Sequence, residues 1–273
     1  MSSTKAVEAL YNILKRSPGR HTNFAAYQLA KMYEDGQAGV PAADKKKAVR
    51  MLRVAAEGGF AMAQYDLGVY HELGMGGVKE DLVEATRLWR LAAAQGHVEA
   101  AHNLGVIHLN GGVGITQDRE AAVKWFHLAA KDGHASSEFN LGVCFIQGMG
   151  VAYNAKEAVK FFRRAADKGH AKAQFMVAEC LRTGTGFPTS DLRASIPWYR
   201  KSADQSNPDA KKVLPEIVQT VAESDRQAEK IRAVAPPGMK FERRGNVFSL
   251  SQEGHDSSAD AEQFERLLYG KKP

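Results

Sequence analysis

The sequence predicts an all-α solenoid, a stack of about five helical hairpins with a capping helix at each end. One residue pattern returns every 36 or 37 residues, and each copy has the apolar spacing of two amphipathic helices. The composition agrees, because 44% hydrophobic and 25% charged residues over 273 positions are typical of a chain that folds along most of its length.

The repeat is visible at three sets of positions that keep one register. The first is a glycine followed by Phe or His, at 59–60, 96–97, 133–134 and 169–170. The second is a Leu-Gly pair at 67–68, 104–105 and 141–142. The third is an Ala-Ala pair at 55–56, 92–93, 129–130 and 165–166, which becomes Ser-Ala at 202–203. The three anchors divide the chain into five copies, residues 22–59, 60–96, 97–133, 134–169 and 170–207. Because no single hairpin buries its own apolar face, neighbouring copies are expected to stack.

Each copy is predicted to contain two helices joined by a glycine-rich loop. In the third copy, Asp118 is a suitable N-cap for the second helix, and Gly133 suits the left-handed residue that ends it. Gly68 and Gly105 lie inside first helices, where glycine is intrinsically unfavourable. We therefore expect bulky second-helix side chains, such as Trp89, to pack closely against them.

The combined pattern of a copy is AxxNLGxxxxxG, then GVxxD, then AxxWFxxAAxxGH. This pattern resembles the Sel1-like repeat, a relative of the tetratricopeptide repeat, and the resemblance covers residues 22–207. It implies a right-handed α/α superhelix whose concave face is lined by the first helix of each hairpin. It also implies an adaptor that assembles other proteins.

The segments outside the repeats are predicted to close or extend the stack. Residues 1–21 form a basic amphipathic stretch, which fits either a capping helix or a mitochondrial transit peptide. Residues 208–234 are predicted as a C-terminal capping helix that Pro215 kinks or breaks. In the tail, 235–273, we expect a short hairpin and, over 261–270, a short amphipathic helix, which together act as a clasp on a partner.

Residues that suggest chemistry have simpler interpretations at these positions. His97, His134 and His170 recur at one repeat position, and successive repeats lie roughly 8–10 Å or more apart, so the three are expected to be turn residues and not ligands of one metal ion. Cys144 and Cys180 are likewise equivalent positions, predicted as buried packing residues.

The sequence contains no nucleophile-elbow, phosphate-loop, dinucleotide or zinc-protease pattern. No catalytic residue, metal or cofactor is therefore predicted, and the protein is interpreted as a non-enzyme.

Cysteine usage and hydropathy suggest the compartment. Only two cysteines are present, and the sequence has neither an apolar run of about 20 residues nor a secretory signal. We expect an intracellular, reducing location without a membrane span. The cytoplasm is favoured, and the mitochondrion is the alternative.

Candidate binding residues lie at outward positions of the first helices. One row is Gln28, Asp66, Asn103, Asn140 and Met176, and the next is Lys31, Val69, Val106, Val143 and Glu179. Amides stacked along a groove can donate to and accept from a peptide backbone. Two alternatives stay open: the asparagines belong to the repeat's own pattern, and the valine row is half-buried between hairpins.

Charge leaves a second function class open. The net charge of +6 suits an acidic partner or nucleic acid, although such an excess also occurs simply as a solubility feature. Basic residues cluster at 45–47, 163–164 and 211–212 without forming a common stripe, which disfavours RNA recognition. The preferred hypothesis is a non-enzymatic scaffold or adaptor for protein partners, and the alternative is an organellar RNA-binding repeat protein.

Overall fold

The computed structural model describes residues 3–15, 19–36, 44–234, 239–244 and 247–252. The chain divides into two compact units, Met1–Tyr153 and Asn154–Pro273. The helices of the first unit are α1 (Ser3–Leu14), α2 (Arg20–Asp35), α3 (Lys45–Glu57), α4 (Ala61–Leu73), α5 (Leu82–Ala93), α6 (Val98–Asn110), α7 (Arg119–Lys131) and α8 (Ala135–Gln147). The second unit contains α9 (Ala155–Asp167), α10 (Ala171–Thr183), α11 (Leu192–Asp204), α12 (Pro208–Val234), β1 (Met239–Arg244) and β2 (Val247–Gln252).

Each unit is built from helical hairpins stacked in chain order. In the first unit, α2 packs on α3, α4 on α5 and α6 on α7, and the second helix of each hairpin also contacts the first helix of the next. In the second unit, α10 packs on both α9 and α11, and α11 packs on α12. We call α2, α4, α6, α8 and α10 the first helices and α3, α5, α7, α9 and α11 the second helices.

Short polar side chains and glycines set the ends of the helices. Asp118, the predicted N-cap of α7, accepts a hydrogen bond from the Ala121 N–H at 2.9 Å, and the other second helices begin in the same way at an Asp or Asn. Gly133 has the predicted left-handed conformation, with φ 80°, immediately before the first turn of α8. Both predictions for the third copy are confirmed.

Large second-helix side chains fill the core between small first-helix residues. Trp89 and Phe126 are fully buried, as are Leu104 and several alanines of the Ala-Ala anchor. Tight burial of this kind in every copy explains why the apolar pattern keeps one register.

Helix α1 covers the apolar side of the first hairpin. Val7 is buried against Leu29 and Tyr33, and the hydroxyl oxygens of Tyr11 and Tyr33 lie 2.6 Å apart. These contacts are those expected of a capping helix. A role of residues 1–21 in targeting stays a prediction.

Helix α12 corrects one expectation about the C-terminal segment. The predicted break at Pro215 is wrong, because the helix continues from Pro208 to Val234 with Pro215 inside it and exposed. Proline removes one backbone donor, but Ala210 before it and Ile217 and Val221 after it are buried in the cluster that contains Tyr199 of α11, which stabilises the helix on both sides of the proline.

The predicted hairpin is present in the tail. Strands β1 and β2 pair antiparallel, from Met239 opposite Gln252 to Arg244 opposite Val247. The residues between the two strands, 245–246, and the predicted helix over 261–270 lie outside the described residues.

Candidate functional site

The predicted binding rows occupy partly exposed positions of the first helices. All seven candidate residues are neither buried nor fully exposed: Gln28, Lys31, Asp66, Asn103 and Asn140 in the first unit, Met176 and Glu179 in the second. Val69, Val106 and Val143 are also half-buried, and Val69 packs on a core cluster between hairpins. Val69 is therefore packing surface, whereas for Val106 and Val143 the structure shows partial burial. We call the partly exposed positions of α2, α4, α6 and α8 the first-helix face.

A charged cluster joins α2 to α4 on this face. The Lys31 ammonium pairs with Glu34 and lies 3.5 Å from the Asp66 carboxylate, and the Tyr70 hydroxyl donates to Glu34 at 2.7 Å. The Tyr27 hydroxyl hydrogen-bonds Asp66. The structure thus brings together Lys31 and Asp66, which the sequence analysis had placed in separate rows.

Burial and mutual attraction set the ionisation of this cluster. Burial raises the pKa of Asp66, an effect that Lys31 partly opposes. Burial also disfavours the Lys31 charge, but the neighbouring carboxylates outweigh it and raise the pKa of Lys31. One ammonium therefore serves two carboxylates, so the cluster keeps a partial negative charge that favours a cation or an N–H donor on a partner.

The amides of the row differ in their availability. The Asn103 side chain is engaged in a hydrogen bond with the Tyr65 side chain. Within the ranges that the structure describes, the Gln28 and Asn140 side-chain amides have no hydrogen-bond partner. These two amides are free to bind a partner.

The second unit contains a separate polar link. Glu179 on α10 accepts from Arg182 at 2.6 Å and from the Tyr199 hydroxyl of α11. Burial opposes ionisation of Glu179, but these two donors outweigh it and lower the pKa of the carboxyl. Glu179 therefore ties α10 to α11, and Met176 is the remaining candidate on α10.

The recurring histidines cap helices. Nδ1 of His97, His134 and His170 accepts the N–H of Ala100, Ser137 and Ala173 at 3.3, 3.2 and 3.1 Å. Nδ1 carries no proton while it accepts this hydrogen bond. The His97 ring also stacks on Tyr65, with centroids 4.4 Å apart. The interpretation as turn residues is confirmed, and the capping role is an addition to it.

The two cysteines are packing residues, as predicted. Cys144 and Cys180 are buried, free thiols in different units. Burial raises the pKa of each thiol to about 11, so neither is activated as a nucleophile.

A second surface escaped the sequence analysis. On the second helices of the first unit, three exposed positions recur at the repeat spacing: Arg50, Arg53 and Val54 on α3, Arg87, Arg90 and Leu91 on α5, and Lys124, His127 and Leu128 on α7. We call these nine residues the second-helix face. Basic residues recur here at the repeat spacing, at Arg50, Arg87 and Lys124 and at Arg53 and Arg90, and not as neighbours in sequence. Applying the 37-residue register to exposed positions would have found them.

Two open grooves adjoin the second-helix face. A groove of about 700 Å³ lies between α3 and α5, with Arg53 and Glu57 on one side, Arg87 and Leu91 on the other, and His71 in its lining. A groove of about 830 Å³ lies between α5 and the loop that leads into α7, and it is lined by Arg90, His108 and residues 114–120. His71 and His108 occupy equivalent positions in successive repeats.

Stacked helical hairpins with whole faces exposed define an α/α repeat solenoid, a class of protein that works through extended surfaces. The chain belongs to the Sel1 repeat family, whose model matches residues 23–60, 61–97, 98–134, 135–170 and 171–207. Both the predicted family and the predicted all-α solenoid class are confirmed. Proteins of this family are generally non-catalytic scaffolds for protein interactions.

Solved structures agree with the family assignment. A Sel1 repeat protein from Oxalobacter formigenes is 31% identical, with a TM-score of 0.67 over 77% of this chain and 81% of that one. The protective antigen c5321 of uropathogenic Escherichia coli, which has the same repeat fold, is 29% identical, with a TM-score of 0.70 over 80% of this chain. The chain spans 49% of the length of that antigen. No curated protein matches the sequence. None of the described helices is long and apolar enough to cross a membrane.

Proposed function

We propose that this protein is a non-enzymatic adaptor that binds a partner protein along the first-helix face. The observation that carries the proposal is a set of polar side chains at repeat-equivalent, partly exposed positions. Two of them, Gln28 and Asn140, have amides with no hydrogen-bond partner among the described residues. The general role of Sel1 repeat proteins as interaction scaffolds supports the same function.

Binding would combine two kinds of contact. The Gln28 and Asn140 amides offer both donors and acceptors, which suits the backbone of an extended peptide or the polar side of a partner helix. The cluster of Lys31, Glu34 and Asp66 adds a fixed charge between the two amides in the order of the repeats. Because the cluster is held by hydrogen bonds within the protein, little conformational entropy is lost on binding.

The test is affinity capture from the native source with the full chain. The variant Gln28→Arg/Asn140→Arg places two long cations on the first-helix face, and it should reduce the recovery of specific partner proteins at least tenfold. Asn110→Arg/Gln147→Arg is the matched control, because it makes the same changes at exposed ends of α6 and α8 in the same unit. Equal loss in both variants would refute binding at this face.

Two further arms separate the alternatives. A chain truncated after Val234 tests the clasp role of residues 235–273, since loss of partners on truncation would support a contact there. Nuclease treatment tests the RNA alternative. If RNA dominates the captured material and the protein partners vanish after nuclease, the adaptor proposal is wrong.

A further inference from the structure

We propose that the second-helix face is a separate docking surface, and that it takes an acidic segment of a partner protein that also carries large apolar residues. The nine residues of this face lie on helices α3, α5 and α7, which do not carry the first-helix face. Binding at this face can therefore be tested separately from binding at the first-helix face.

Three aligned apolar side chains, which we call the ridge, lie on this face. Val54, Leu91 and Leu128 occupy equivalent positions of three successive repeats and are 41%, 42% and 37% exposed. Single exposed apolar residues are ordinary on protein surfaces, but aligned ones offer a partner one apolar contact on each successive helix. A segment lying across α3, α5 and α7 meets one of these side chains on each helix.

An excess of positive charge flanks the ridge. Helix α3 carries five basic residues and one acid, α5 two and one, and α7 three and one. The acid of α5, Glu84, is already paired with Arg87 at 2.7 Å. In the described part of the chain, Arg50, Arg53 and Lys124 have no carboxylate partner. The ridge therefore lies in a field of positive charge that attracts acidic side chains.

A buried histidine N–H donor, that of His108, lies beside this face. Nε2 of His108 lies 3.3 Å from the Arg90 guanidinium, which can only donate, so Nε2 accepts and the ring proton is on Nδ1. His108 is 8% exposed, and its Nδ1 has no hydrogen-bond partner among the described residues. Nδ1 of His71, the equivalent residue, is also buried without a partner there. Within the described residues, the His108 Nδ1–H thus lacks an acceptor, and Nδ1 of His71 lacks a partner of either kind.

Acidic residues within the grooves limit where the partner's carboxylates bind. Glu57, Asp81 and Glu84 line the first groove, and Asp118 and Glu120 line the second. Asp81 and Asp118 are occupied as N-caps of α5 and α7. The partner's carboxylates are therefore expected on the exposed arginines beside the ridge, with its apolar residues against Val54, Leu91 and Leu128.

The basic part of the face recurs in the second unit at the same register. Arg53 and Arg90 correspond to Arg163 and Arg200, both exposed on α9 and α11. At the ridge position, however, the second unit has Arg164 and Lys201 in place of apolar residues. A phosphate backbone requires only the positive charge, whereas the apolar ridge of the first unit favours a protein segment.

The experiment is site-specific photo-cross-linking in the native source, with the photoreactive residue placed at Leu91 of the full chain. A matched chain carries it at Lys79, an exposed residue of the loop before α5. The expected result is a defined peptide, captured at Leu91 and not at Lys79, that contains several Asp or Glu residues among large apolar ones. A captured segment that is basic, a nuclease-sensitive product, or equal capture at the two positions would overturn the proposal.

The captured segment, synthesised as a labelled peptide, then gives an affinity for the full chain by fluorescence anisotropy. Arg53→Glu/Arg90→Glu and, separately, Leu91→Asp should each weaken binding at least tenfold. The control Lys79→Glu/Lys230→Glu makes the same charge change at exposed positions elsewhere and should leave the affinity within twofold. Circular dichroism of each variant confirms folding. An affinity that follows total charge, and not the position of the charge, would refute a defined docking surface.

Discussion

A methyl group built on Gly68 would lie 2.5 Å from Nε1 and 2.7 Å from Cδ1 of the Trp89 indole, well inside normal contact distance. The indole is fully buried, and Nε1 donates to the Tyr65 carbonyl at 3.2 Å, which fixes the ring over the glycine. Gly105 and Phe126 repeat the relationship one copy later, with 2.5 Å to the ring. Glycine is required here for close packing of the two helices in a hairpin, as the sequence predicted.

Replacing this glycine should therefore oppose the usual propensity rule. In an exposed helix, Gly→Ala stabilises by about 1 kcal/mol, but Gly68→Ala should destabilise by about 1–3 kcal/mol, because the added methyl overpacks the core. Denaturant unfolding followed by circular dichroism measures the change. The double variant Gly68→Ala/Trp89→Leu should lose less than the sum of the two single changes, since a smaller ring leaves room for the methyl. Strict additivity would contradict the packing argument.

The repeat period predicted most of the local structure because local rules determine it. Hairpins, the Asp118 cap and the Gly133 terminus each depend on residues within one copy, so a pattern in the sequence is enough to find them. Histidine is not among the usual N-cap residues, and its capping role became visible only from the distance between His97 Nδ1 and the Ala100 N–H.

The surfaces were less predictable than the helices. Whether Lys31 pairs with Asp66, 35 residues away, depends on side-chain geometry across a helix interface, and the sequence rows alone could not show it. The second-helix face was missed for another reason. A helical surface collects residues by register, so Arg53 and Arg90 belong together although 37 positions separate them.

The fifth repeat offers a stabilising substitution. Ser206 has φ 66° at the position where earlier copies have glycine. Among the described residues, it is the only non-glycine residue with a positive φ. Left-handed backbone costs a residue with a Cβ about 1–2 kcal/mol, so Ser206→Gly should raise the stability of the second unit by about 1 kcal/mol. Ser206→Ala, which keeps the Cβ, should give no gain. Thermal unfolding of both variants decides between relief of backbone strain and a general surface effect.

Thiol reactivity tests the burial of the two cysteines. With pKa values raised to about 11 by burial, Cys144 and Cys180 should react with maleimide at least a hundredfold more slowly in the native protein than in denaturant at pH 7.5. An added surface cysteine, Lys79→Cys, should react rapidly in the native state and serves as the positive control. Rapid labelling of Cys144 in the native protein would show that the core of its repeat opens readily.

The His97 cap makes stability depend on pH. Burial lowers the pKa of His97, against the weaker opposing fields of Glu99 and Asp66, and protonation of Nδ1 would remove the acceptor for the Ala100 N–H. A depressed folded-state pKa means that the unfolded chain binds the proton more tightly. The stabilisation is therefore complete above the unfolded pKa of about 6.5 and is lost as pH falls below it.

His97→Asn keeps a capping acceptor that does not titrate, so this variant should lose less stability than the natural protein between about pH 7 and pH 5. His108, whose pKa burial and Arg90 also lower, contributes to the same pH dependence in both proteins and does not affect their difference. Urea unfolding at several pH values measures that difference, and identical pH profiles for the two proteins would show that protonation of His97 does not disturb the cap.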